Sequence, residues 1–122
     1  MKLLRSRDDL REFISTNEIA LVCFTRSDTY IGRHIERVLL RLESRVGHMI
    51  NFAIVDVSKF RDDRNIIESE NISSLPLIRL YLKGKNIFEQ EDCFRDFQTD
   101  YYVLRISVRD VLRQYGINLT FR

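Results

Sequence analysis

The sequence predicts one α/β domain over residues 1–122, a three-layer arrangement with a mixed central sheet and helices on both faces. Three observations carry this. Ile19-Ala20-Leu21-Val22-Cys23-Phe24 and Phe52-Ala53-Ile54-Val55-Asp56-Val57 are nearly continuous apolar runs of strand length, the pattern of strands covered on both faces. Between them Ile35, Val38, Leu39, Leu42 and Val46 recur at helical spacing. Downstream, Lys83-Gly84-Lys85 turns a third run, Leu77 to Leu82, back into Asn86-Ile87-Phe88 as a hairpin.

The elements follow in order. Leu3-Leu4 starts a short strand. Ser6, with Asp9 three residues on, reads as a helix N-cap, and Leu10, Phe13 and Ile14 share one face of a helix from about Arg7 to Ser15. The first buried strand leads into a polar loop, Thr25 to Asp28, and then a helix of about four turns stopped near Gly47. After the second buried strand comes a polar helix from about Asp62 to Glu70, anchored by Ile66 and Ile67. Beyond the hairpin, Ser107 and Asp110 are placed to cap a last helix bearing Val108, Val111, Leu112 and Tyr115, with Gly116 as its stop. Before it, Phe94 to Ile106 is aromatic-rich, and Tyr102, Leu104 and Ile106 alternate as in a strand. An added edge strand or a lid is expected there. The order β-α-β-α-β-α-β-β-α gives a parallel half followed by an antiparallel hairpin.

Composition narrows the function classes. With 44% apolar and 31% charged residues the chain is globular. A net charge of +2 favours neither nucleic acid nor membrane as a partner. No secretory leader or spanning run is read, so a cytoplasmic, reducing setting is expected. His34 and His48 have no Cys, Asp or His at ligand spacing and are expected at the surface, with no metal site. Four scattered glycines form no phosphate loop, and no cofactor is expected. Cys23 reads as a small apolar core residue.

The element order, with the sole proline just before the hairpin, resembles the thioredoxin-like superfamily. Ala20-Leu21-Val22-Cys23-Phe24 matches that family's central strand, with Cys23 at a position where thioredoxins bury an acid. The family's Cys-Gly-Pro-Cys then falls, without a gap, on Thr29-Tyr30-Ile31-Gly32. Ser74-Leu75-Pro76-Leu77 falls on the segment that holds its cis-proline, and Lys83-Gly84-Lys85 on its hairpin turn. Disulfide exchange needs an attacking thiolate and a resolving thiol. Thr29 offers only a weakly nucleophilic hydroxyl, and Gly32 nothing.

The resemblance therefore implies a redox-inactive module that binds a protein partner as a scaffold, not an enzyme. It places a peptide groove at Asp28, Thr29, Tyr30, Ile31, Leu75, Pro76, Asp92 and Cys93. Arg33, Arg37, Arg41 and Arg45 form a stripe at four-residue steps, either a solvated face or a docking surface for phosphates or an acidic protein. The acidic stretch Glu89, Glu91, Asp92, Asp96 and Asp100 is its expected counterpart, within one molecule or across a homodimer. Two alternatives stay open. The chain is similar, more distantly, to the Dim family of spliceosomal thioredoxin-like proteins, through the helix start, Val38-Leu39 and Asn51 to Val57. That reading implies a nuclear ribonucleoprotein. The other is a weak single-cysteine thiol oxidoreductase using Cys93.

Overall fold

In the computed structural model, which describes residues 1–60 and 63–122, the five strands expected from Leu3 to the hairpin pair into one sheet of order β1-β3-β2-β4-β5. The strands are β1 (Lys2–Leu4), β2 (Ile19–Thr25), β3 (Asn51–Asp56), β4 (Leu77–Leu82) and β5 (Lys85–Glu91). β1 and β2 run parallel to β3, while β4 is antiparallel to both β2 and β5.

The continuous apolar runs are explained by the two layers they serve. Leu21 and Cys23 of β2, Phe52 and Ile54 of β3, and Ile78 and Leu80 of β4 point to one face. There they meet Ile35, Val38, Leu39 and Leu42 of α2 (Tyr30–Val46) and Leu104, Val108 and Leu112 of α4 (Phe97–Gln114). The alternate residues Ala20, Val22, Phe24, Ala53, Val55, Leu77 and Tyr81 meet Leu10 and Phe13 of α1 (Arg7–Thr16) and Ile66 of α3 (Asp63–Ser69) on the other. Side chains alternate across a strand, so two buried faces demand apolar residues at successive positions.

Local signals act where expected. The Asp9 N–H donates to Ser6 Oγ at 3.1 Å, starting α1. Lys83 and Gly84 both take positive φ, 51° and 82°, as a two-residue hairpin turn requires. A helical turn (η1, Val57–Lys59) ends the second buried run, so Val57 leaves the strand. The expected helix start at Asp62 lies outside the described residues.

The segment before the last helix differs from expectation. Residues 97–106 are neither edge strand nor lid; they are the first half of α4, which Asp96 caps through the Thr99 N–H at 3.0 Å. Ser107 and Asp110 therefore lie inside the helix rather than at its cap. The reason is chemical: the buried ridge Asp100, Leu104, Val108, Leu112 begins with a carboxylate, so apolar periodicity starts a turn late. Gly116, at φ 77°, ends the helix as read.

Candidate functional site

The site is built where β2 ends and α2 begins. Thr29 caps α2: its Oγ1 accepts from the Gly32 N–H at 3.0 Å and donates to the Arg26 carbonyl at 2.8 Å. That carbonyl folds over the first helical turn. A β-carbon on Gly32 would lie 1.8 Å from the Arg26 oxygen and 2.7 Å from its carbon, so the backbone here admits glycine alone.

Asp56, buried at the end of β3, holds the same loop from beneath. Its Oδ1 accepts from the Ser27 N–H at 3.1 Å, the Ser58 N–H at 3.1 Å and Ser58 Oγ at 2.6 Å. Burial pushes its pKa up, but the hydrogen bonds from Ser27 and Ser58 outweigh it and hold the carboxyl below the usual range.

Opposite the helix start, the Leu75–Pro76 peptide bond is cis. The Pro76 carbonyl accepts from the Asp92 N–H at 3.1 Å, tying the proline loop to the turn after β5. Asp92 and Arg95 in that turn take φ of 62° and 65°, uncommon for residues with side chains. Between these walls lies a cavity of about 230 Å³. Of the expected groove residues, Thr29, Ile31, Leu75, Pro76 and Asp92 line it, joined by Thr25, Arg26, Gly32 and Arg95. Asp28, Tyr30 and Cys93 do not. Asp28 instead pairs with Arg26 at 2.9 Å, whose hydrogen bond lowers the carboxyl's pKa.

Tyr30, Phe94 and Cys93 belong to a neighbouring cluster that sequence spacing did not show. His34, expected at the surface, is 3% exposed, and its Nε2 lies 2.7 Å from Oδ2 of Asp100, itself 1% exposed. The Phe94 N–H donates to the other oxygen of Asp100 at 2.7 Å. The Tyr30 ring stacks on His34, with centroids 6.5 Å apart and planes inclined by 11°. Tyr30 and Phe94 nevertheless stand 62% and 68% exposed. The half-buried Cys93 offers its sulfur to the same spot: donor atoms of His34, Cys93 and Asp100 all lie within 4.8 Å of one another. Burial, then the nearby carboxylates of Asp100 and Asp92, raise the Cys93 pKa and keep the thiol protonated. His48 is exposed, as expected, beside Thr120.

Cys23 is fully buried, and burial drives its thiol far above the ordinary value. Among the described residues no hydrogen bond or ion pair joins the acidic stretch to the arginine stripe. Glu89 pairs with Arg79, Glu91 accepts from Ser73, Asp96 caps α4 and Asp100 turns inward. Arg33 donates to the Ser27 carbonyl and Arg45 to the Arg122 carbonyl, leaving exposed Arg37 and Arg41 as the open part of the stripe. Among the described residues no helix is long and apolar enough to cross a membrane.

No family model matches the chain, and no curated protein sequence does. Solved structures do. A thioredoxin from Plasmodium falciparum superposes with a TM-score of 0.74 at 20% identity, over 90% of this chain and 98% of that one. Mitochondrial thioredoxin 3 from Saccharomyces cerevisiae gives 0.72 at 15% identity, over 90% and 94%. A designed protein gives 0.73 at 25% identity, over 91% and 96%. The fold is thioredoxin-like. These structures lend the spliceosomal resemblance no support.

Proposed function

We propose that this chain is a non-catalytic, cytoplasmic thioredoxin-fold module that binds a protein partner across the Pro76 loop. The observation that carries the reading is the placement of Tyr30 and Phe94. Two large rings stand in solvent, yet each is anchored to the buried His34–Asp100 pair, one by stacking and one through its backbone. Exposed aromatics held beside a groove are what a binding surface needs, because burying them gains apolar area. Chemistry at the helix start supports the negative half of the reading. Thr29 is a cap, Gly32 has no room for a side chain, and the Cys93 thiol is held protonated.

Two assays test this. Insulin reduction with dithiothreitol as reductant is expected to proceed no faster with the protein than without it; turnover abolished by Cys93→Ser would make the chain a single-cysteine oxidoreductase instead. Affinity capture from native lysate, comparing the natural chain with a Tyr30→Ser, Phe94→Ser variant, should yield protein retained by the first and lost by the second. Equal recovery sinks the binding surface, and co-purifying small nuclear RNA would move the reading to a spliceosomal component.

A further inference from the structure

We propose that His34, Cys93 and Asp100 form a binding site for a divalent transition metal of the zinc class. The three residues come from three separate places in the chain: the second turn of α2, the turn after β5, and the first turn of α4. Sheet order brings them together, and each presents one donor atom within 4.8 Å of the other two.

The donor set selects the metal. One imidazole nitrogen, one sulfur and one carboxylate oxygen suit a borderline ion such as Zn²⁺ or Co²⁺, not Mg²⁺ or Ca²⁺, which prefer oxygen alone. Charge also closes. A thiolate and a carboxylate with a neutral imidazole balance a dication, so the loaded site adds no net charge to a region where His34 and Asp100 are almost fully buried.

Geometry needs only a small adjustment. Zinc bonds of about 2.0–2.3 Å place tetrahedral donors roughly 3.3–3.7 Å apart. His34 Nε2 and Asp100 Oδ2 now lie 2.7 Å apart in hydrogen-bond contact, and a metal between them would spread them by less than about 1 Å. On binding, the Cys93 thiol proton leaves to solvent, and the proton of the ring–carboxylate hydrogen bond leaves with it or, from a singly protonated ring, moves to the other ring nitrogen, so that the imidazole ligates in its neutral form. The supporting shell already exists: the Phe94 N–H holds Oδ1 of Asp100, leaving Oδ2 directed at His34. Cys93, only half buried, marks the way in. Three ligands leave the fourth tetrahedral position to water or to a donor from a bound partner.

Cobalt titration of the fully reduced chain tests the site, since tetrahedral Co²⁺ with a thiolate ligand shows visible ligand-field bands and a sulfur-to-cobalt charge-transfer band. The expected result is saturation at one equivalent, displacement by Zn²⁺, and a melting temperature that rises with Zn²⁺ concentration. Cys93→Ser, half buried and conservative, should abolish the charge-transfer band, and Asp100→Asn should weaken cobalt affinity on the order of 100-fold. Cys23→Ala should keep the band. No charge-transfer band at one equivalent, or the same band in Cys93→Ser, overturns the proposal. Neither result bears on whether Tyr30 and Phe94 bind a protein.

Discussion

The carbonyl oxygen of Arg26 occupies the space that a β-carbon on Gly32 would need, 1.8 Å from that position. In thioredoxin-like folds the corresponding place carries the second thiol by resemblance. Here the loop from β2 has closed over it, with Thr29 Oγ1 donating to the same oxygen at 2.8 Å. Two consequences can be measured.

Gly32→Ala must push the loop backbone away, and should cost about 3 kcal/mol, which lowers the melting temperature by roughly 12 °C for a domain of this size. The double variant Thr29→Cys, Gly32→Cys restores the family's cysteine spacing but should not restore fast insulin reduction. Turnover at thioredoxin-like rates in a stably folded double variant would show that the loop is no barrier.

Asp56 makes stability depend on acid. Its pKa is lowered in the folded chain by hydrogen bonds from Ser27 and Ser58, despite the opposing effect of burial. A group with a depressed folded pKa stabilises fully above its unfolded value of about 3.9, and that contribution fades as pH falls through the lower folded value. Asp56→Asn should therefore lose about 2 kcal/mol at neutral pH and flatten the acid limb of the stability curve below about pH 4. Parallel denaturation midpoints for both proteins from neutral to acid pH would contradict this.

Arg79 sits 6% exposed on an otherwise apolar face of β4, between Leu77 and Tyr81. Its guanidinium binds the Glu70 side chain at 2.7 Å, the Glu70 carbonyl and Glu89, and lies over the Phe24 ring at 5.2 Å. Removing it empties a buried site and takes the donor from a partly buried carbonyl, so Arg79→Ala should cost about 2–3 kcal/mol. Glu89 reaches solvent, and Glu89→Gln should cost under about 1 kcal/mol. Equal losses for the two, in chemical denaturation, would show that the ion pair rather than the buried network matters.

Tyr101 carries the buried side-chain polar atom, its hydroxyl, that lacks a hydrogen-bond partner among the described residues. Its ring stacks on Phe97 at 6.4 Å. Deleting an unsatisfied donor while keeping the ring should be neutral or stabilising by up to about 1 kcal/mol, so Tyr101→Phe is expected to melt at the same temperature or higher. A clear loss of stability would mean that a bound water satisfies the hydroxyl.

Strands β2, β3 and β4, helix α2 and the hairpin turn were legible in the sequence because each is specified locally. Burial on two faces writes continuous apolar runs, one face writes a helical period, and a tight turn needs the backbone freedom of glycine. The first half of α4 was not legible, since its ridge opens on a polar residue and its β-branched and aromatic positions imitate a strand. The groove shared five of its eight expected members with the structure, because the resemblance preserves backbone position but not which side chains turn inward.

What the sequence alone determined is the absence of paired thiols at positions 29 and 32 and the presence of a fold with two apolar layers. Only the tertiary structure decided that His34 is buried and that it meets Asp100, 66 residues away, beside Cys93. No local period encodes that meeting. It follows from α2 and α4 packing on the same face of the sheet, which brings polar residues from separate segments together where the buried ones must satisfy one another.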